Sequence, residues 1–209
     1  MNQGDKQKVD RIYFHWSGTN YNWMQPNHYH TIFTGDGLVH RMHDYHTYLP
    51  EHTAGRNSNA VALSLSCMGG TGFTQFPPTT DQIEAMCQET ASLAVQEGWS
   101  LDPNILQYKM MTHAEAAALR DFPLAKVRMV SGLEMYQTSA ELFERANYAA
   151  TLGLPHDNYG PSRWPDHWPG GYQERWDLFK LKAQDTPGSG GHQLRIRVLA
   201  IMQKMEGAK

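Results

Sequence analysis

The stretch Arg11-Ile12-Tyr13-Phe14-His15-Trp16-Ser17-Gly18-Thr19 decides how the chain is read. Ile12 and Phe14 alternate against Tyr13, the period of a β-strand, and the run breaks at Gly18. A short buried strand is predicted, with a histidine where it ends. Strand ends are rigid places from which to present chemistry, although many histidines there are ordinary hydrogen-bonded residues. His15 rises above the ordinary only if distant residues complete a metal site with it. Two can: His113 in Met111-Thr112-His113-Ala114-Glu115, and Asp177 in Glu174-Arg175-Trp176-Asp177-Leu178.

Downstream of that strand, two short β-rich runs, residues 27–33 and 38–41, flank Gly35-Asp36-Gly37 and predict a hairpin. Residues 42–59 are polar and read as a surface loop. The mostly apolar run Ala60–Ser66 suits a central strand. Thr79 and Gln82 are spaced as a capping box, and Ile83, Met86, Cys87, Ala91, Ala94 and Val95 follow at helical spacing towards a stop at Gly98. Leu106–Met111 is predicted as a further strand leading to His113. Thr138 with Glu141 opens a predicted helix to about Leu152. The segment from Pro155 to Gly171 reads as an ordered loop, because Trp164, Trp168 and Tyr172 are costly to leave in water.

Thr186-Pro187-Gly188-Ser189-Gly190-Gly191 reads as a flexible spacer. Beyond it, Leu194, Ile196, Val198, Leu199, Ile201 and Met202 predict a short C-terminal helix that packs back on the domain or binds a partner. The fold class expected is α/β: a single domain with a mixed central β-sheet flanked by α-helices and a helical, aromatic-loop insertion over 121–172. Its expected bounds are a domain over 9–182, a spacer over 183–191 and a helical tail over 192–209.

A chain of 209 residues can bury one sizeable core. Its formal net charge of -3, without a long basic run, leaves no footprint for nucleic acid. No stretch approaches the roughly 18 apolar residues of a membrane span, so membrane insertion is not expected. Residues 1–8 are polar and carry no apolar h-region, so the expectation is a protein made soluble in a cytoplasm without a classical secretory signal. Cys67 and Cys87 lie in apolar patterns without a Cys-x-x-Cys pair, which predicts buried free thiols. Six of the 11 histidines (His28, His30, His40, His43, His46 and His52) crowd one short region, as a metal-binding or a merely polar tract would.

A catalytic zinc takes three protein ligands, commonly histidine and carboxylate, and keeps its fourth position for water. Such a site lowers the pKa of that water from about 15.7 to about 7, which is why an amide hydrolase would use His15, His113 and Asp177. Several short motifs fall in a matching order. They are Phe14-His15-Trp16-Ser17; Tyr29-His30 before Gly35-Asp36-Gly37; His52-Thr53-Ala54-Gly55-Arg56-Asn57 leading into Ala60-Val61-Ala62-Leu63; Thr112-His113-Ala114-Glu115; and Arg175-Trp176-Asp177. In these, over about residues 9–182, the chain resembles the type-2 zinc N-acetylmuramoyl-L-alanine amidases, the family of phage amidase-type lysozymes and peptidoglycan recognition proteins.

The resemblance implies a sheet flanked by helices with Zn2+ on one face. It also implies cleavage of the amide joining N-acetylmuramic acid to L-alanine in peptidoglycan. His15, His113 and Asp177 are then the metal ligands, with Asp157, Asp166 and His167 as nearby rivals for the third place. Tyr29 matches a tyrosine that orients the attacking water or hydrogen-bonds the intermediate, and Arg175 sits where a cation stabilises the oxyanion. Where some members carry an acidic base in the central strand, this chain has Ser64 and Ser66. His52, Asn57 and Glu115 are candidates for substrate contact, although Thr112 and Glu115 are also spaced as a capping box. The enzyme expected is a phage-type lysin that acts on the cell wall after release or as part of a virion. The alternatives are a non-catalytic peptidoglycan-binding module and a structural virion component.

Overall fold

In the computed structural model the strand that begins at Arg11 forms as β1 (Arg11–Trp16) and lies inside a sheet. Residues 8–53, 57–116, 177–186 and 189–208 are described. On one side β1 pairs in parallel with β4 (Ala60–Leu65), and on the other with β5 (Met110–Thr112). β2 (Thr31–Phe33) lies parallel to β4, and β3 (Val39–Arg41) is antiparallel to β2 at the edge. The order is therefore β3-β2-β4-β1-β5. The predicted hairpin is present: Asp36 accepts the Leu38 N–H at 3.2 Å, and Gly37 turns the chain at φ +80°.

Alternation along the strands separates two faces. Ile12, Phe14 and Trp16 of β1 point with Val61, Leu63 and Leu65 of β4 into the main apolar cluster. Tyr13 and His15 point the other way, in register with Ala62 and Ser64. Among the described residues that second face holds two small apolar groups, Tyr13, Ala60, Met111 and Ala116 in one, and Tyr29, Ile32 and Ala62 in the other.

Helices cover the first face. α1 (Thr80–Gln96) starts with the predicted capping box: Thr79 Oγ1 accepts the Gln82 N–H at 3.1 Å, and Gln82 Oε1 accepts the Thr79 N–H at 3.0 Å. The buried Gln82 amide then donates to the carbonyls of Phe33 and Ser66, each at 2.9 Å, which fixes α1 to the sheet. Gly98 follows the helix at φ +66°.

Two expectations are corrected by the structure. The strand predicted over Leu106–Met111 is mostly helix: α2 (Pro103–Lys109) runs up to β5, and only Met110–Thr112 is extended. Asp102 caps it by accepting the Asn104 N–H at 2.9 Å, and Pro103 takes the first turn, where its missing N–H costs nothing. The predicted spacer loses its last two residues to the C-terminal helix, which packs back on the domain, one of the two arrangements expected for it. Gly190 and Gly191 begin α3 (Gly190–Gly207), whose Leu194, Val198 and Met202 join Met86 and Cys87 of α1 in the main cluster.

Cys67 and Cys87 are buried free thiols. No helix among the described residues is long and apolar enough to cross a membrane. The predicted helix at 138–152, the loop carrying Trp164, Trp168 and Tyr172, and the rivals Asp157, Asp166 and His167 lie outside the described residues.

Candidate metal centre

The parallel pairing of β1 with β5 sets the site. Phe14 is in register with Thr112, so the next residues, His15 and His113, come level at the carboxyl ends of neighbouring strands. In open sheets of this kind ligands bind beyond those strand ends. The two rings stand 4.8 Å apart, centroid to centroid, at 69°. The loop at 177 supplies the third group: Asp177 Oδ2 lies 3.0 Å from His15 Nδ1 and 3.2 Å from His113 Nδ1. A backbone bond from Ala114 N–H to the Asp177 carbonyl, 3.4 Å, ties the two segments together.

These donors suit a zinc ion. One ligand atom from each residue lies within 4.8 Å of the others, and no other such group of three occurs among the described residues. Donors that share a tetrahedral zinc at bond lengths near 2 Å stand about 3.3 Å apart, close to the two carboxylate separations. Asp177 is fully buried, and its Oδ1 has no hydrogen-bond partner among the described residues. A fully buried carboxylate with one oxygen bare carries charge that is costly unless offset, and a cation held at the group offsets it. Burial alone would raise the Asp177 carboxyl, but the bonds to His113 and His15 outweigh it and hold the group below its ordinary value.

Around the donors sits a second layer of polar groups. Thr53 Oγ1 lies 3.5 Å from His15 Nε2 and 2.9 Å from His52 Nδ1. A hydroxyl on the far nitrogen of a ligating histidine fixes which nitrogen faces the metal. Burial, followed by the imidazoles of His15, His30 and His113, pushes the His52 ring down to about 2 and so keeps it neutral. Ser64, in register with His15, is buried and its hydroxyl has no partner among the described residues.

A cavity of about 370 Å³ adjoins the donors, walled by Ser17, Trp23, His28, Tyr29, Glu51 and His52. Its size suits a small-molecule or peptide-like ligand. The Tyr29 and His52 rings reach from this wall to within 5.2 and 5.4 Å of the His15 ring.

The remaining predicted site residues are dispersed. Asn57 Oδ1 accepts the N–H groups of His52, at 3.3 Å, and Thr53, at 2.8 Å. Its amide oxygen shapes the loop behind His52, a supporting role beside the expected contact with substrate. For Glu115 the structure shows the capping alternative. It completes the capping box with Thr112 and pairs with Arg195 away from the cavity. Arg175 lies outside the described residues.

Among the described residues the histidine-rich tract does not assemble into a metal site. His30 accepts the Ala62 N–H on Nδ1 and donates from Nε2 to the Tyr48 carbonyl, both at 3.0 Å. His43 stacks on Tyr48 at 3.6 Å, and His46 Nε2 stands 3.5 Å from Glu97. The sequence reading missed Thr53 and Arg195. Thr53 lies inside a motif already quoted, whereas a lone arginine in an amphipathic helix gives no signal of burial.

No protein-family model matches the chain, and no curated protein matches it. Solved structures do. The chain is similar to the N-acetylmuramoyl-L-alanine amidase LysC from Clostridium intestinale URNW, at 16% identity and a TM-score of 0.41, over 52% of this chain and 72% of that one. It is similar to Drosophila peptidoglycan recognition protein SD, at 12% identity and 0.41, over 57% and 79%. A third is the Ph2119 endolysin from Thermus scotoductus MAT2119 bacteriophage Ph2119, at 12% and 0.39, over 52% and 73%. The likeness concerns the fold; the chemistry has to be read from the side chains.

Proposed function

We propose that this chain is a zinc-dependent N-acetylmuramoyl-L-alanine amidase that acts on peptidoglycan. The observation that carries the proposal is the convergence of His15, His113 and Asp177, from three separate segments, beside an open cavity. The sequence motifs that resemble the type-2 amidases supply the substrate class.

His15 and His113 would hold the ion through Nδ1, and Asp177 through Oδ2, the atoms that face one another. When bound, zinc supplies a Lewis acid and makes hydroxide available at neutral pH. Thr53 keeps the far nitrogen of His15 engaged, and the buried strands beneath exclude bulk water from the donors. The scissile amide enters by the cavity, where Tyr29 and His52 form the wall beside His15. His52, neutral and with a buried Nε2 that has no partner among the described residues, is suited to hydrogen-bond a substrate or the attacking water. Arg175, two residues before Asp177, is the proposed cation for the oxyanion. A phage-type lysin, acting on the wall after release or from a virion, is the setting proposed for this activity.

One observation favours a second reading, a module that binds peptidoglycan without cutting it. At the position of β4 nearest His15 the chain offers Ser64, not a carboxylate that could accept a proton. Mass spectrometry of sacculi incubated with the protein separates the two. The amidase should release stem peptides with new L-alanine amino termini, stop on chelation and resume with zinc. Retention on sacculi without new amino termini would sink the enzyme.

A further inference from the structure

We infer that Arg195, with Gly190 and Gly191 at the start of α3, positions the donors of the metal centre. The two segments that carry His113 and Asp177 both rest on the first turns of this one helix. On the His113 side, Arg195 Nη1 donates to Glu115 Oε2 and to the Met110 carbonyl, and Nη2 donates to Glu115 Oε1, each at 2.8 Å. Glu115 in turn accepts the Thr112 N–H at 2.9 Å, while its own N–H donates to Thr112 Oγ1 at 3.1 Å. His113 therefore sits inside a cap whose carboxylate is gripped at both oxygens by a buried guanidinium. A planar fork fixes direction as well as distance, which a lysine could not do.

On the Asp177 side the contact is made by absence of a side chain. Leu178 is buried and held at φ +60°, a conformation an L-residue keeps only when its surroundings demand it. A Cβ on Gly190 would lie 1.8 Å from the Leu178 carbonyl oxygen, and one on Gly191 would lie 2.3 Å from Glu115 Oε2. The Gly190 N–H donates to the Phe179 carbonyl at 3.2 Å. Asp185 Oδ2 gathers the Leu181 and Lys182 N–H groups and the Gln193 side chain, at 3.2, 2.9 and 2.9 Å. One helix end thus sets the spacing between two ligands that lie 64 residues apart in sequence.

The inference rests on the metal-centre reading, but not on the identity of the substrate. A buried ion pair that served stability alone would make the same bonds, so the readout has to be metal affinity. Zinc binding to the full chain is measured by competition with a chromophoric chelator, at a temperature where every variant is folded by circular dichroism. Arg195→Met and Gly191→Ala are expected to bind zinc about 10- to 100-fold more weakly, the usual effect of losing a group that orients ligands. Val198→Ala removes apolar volume from the same helix; it should lower Tm and leave zinc affinity unchanged.

Cobalt(II) in place of zinc gives a second signal. Its visible bands should shift in Arg195→Met and stay fixed in Val198→Ala. If Arg195→Met does not fold, Arg195→Lys, which keeps the charge and loses the fork, should show a smaller loss of the same sign. Wild-type affinity and bands in Arg195→Met, or in Arg195→Lys where that variant stands in, would overturn the inference. So would a loss in Val198→Ala equal to that in the arginine variant. A wild-type chain that takes up neither ion overturns the metal centre itself, which is a separate result.

Discussion

On one side of β1, Ile12, Phe14 and Trp16 meet the apolar faces of α1 and α3; on the other, Tyr13 and His15 meet imidazoles, a carboxylate and an open cavity. The residues differ by one step along the same strand. The first face should tolerate apolar side chains of similar volume, because burial of apolar surface is not directional. The second should not, because its nitrogens and oxygens act through contacts fixed in direction and distance, as between Asp177 Oδ2 and the Nδ1 atoms of His15 and His113. Apolar burial is thus concentrated on the helix side and the candidate donors on the other, and apart from the Arg195 fork of α3 and the buried His30, changes on the two sides should separate.

The strongest way to break this division is His113→Ala. It should abolish zinc uptake and bring amide cleavage below detection while the far-ultraviolet circular dichroism stays that of the wild type. An unfolded variant would show that the polar face also carries the fold. Its counterpart is Leu63→Ala, a fully buried residue of β4 on the helix face. A loss of about 2–5 kcal/mol in urea unfolding is expected from the cavity created, with zinc affinity per folded molecule unchanged.

A pH series sharpens the comparison next. Burial holds His30 down to about 4 against its ordinary 6.5, and both ring nitrogens are already committed, one as acceptor and one as donor. The folded state therefore resists a proton that the unfolded state accepts. His30 contributes its full share above pH 6.5, and that share falls as pH drops, levelling off below about pH 4. The total is about 3 kcal/mol at most. Ring resonances of His30 should titrate near pH 4, and His30→Gln should remove its part of the slope of unfolding free energy against pH. A His30 that titrates at 6.5 would refute this.

The smallest effect is expected from Asn57→Ala. Loss of the two backbone bonds to His52 and Thr53 should cost about 1–2 kcal/mol and raise KM more than it lowers kcat. A change in kcat alone would place Asn57 nearer the reacting groups than a supporting role allows.

Much of this was legible in the sequence, for reasons that can be named. β1 and β4 follow from short apolar periods, and α1 from Thr79 and Gln82, because each signal is local. The three metal donors were legible only through motif order, since no spacing rule links residues 15, 113 and 177. The helix over Pro103–Lys109 was misread from the apolar run Leu106–Met111; Asp102-Pro103, a cap followed by a first-turn proline, was the better guide. Gly190 and Gly191 looked like spacer because two glycines and a nearby proline favour loops. What places them in a helix is the Leu178 carbonyl and the Glu115 carboxylate, neighbours distant in sequence. Tyr29 was expected within the hairpin and instead precedes β2, where it lies on the cavity wall.

The place of α3 has a consequence for synthesis. A polypeptide leaving the ribosome can pair β1 with β4 early, yet Leu194, Val198 and Met202 are needed before the main cluster is complete. Until they emerge, the nascent chain carries all three candidate donors but no Arg195 to grip the turn after Thr112. The candidate site therefore gains its framework only once synthesis has passed Met202, however early its donors have been made.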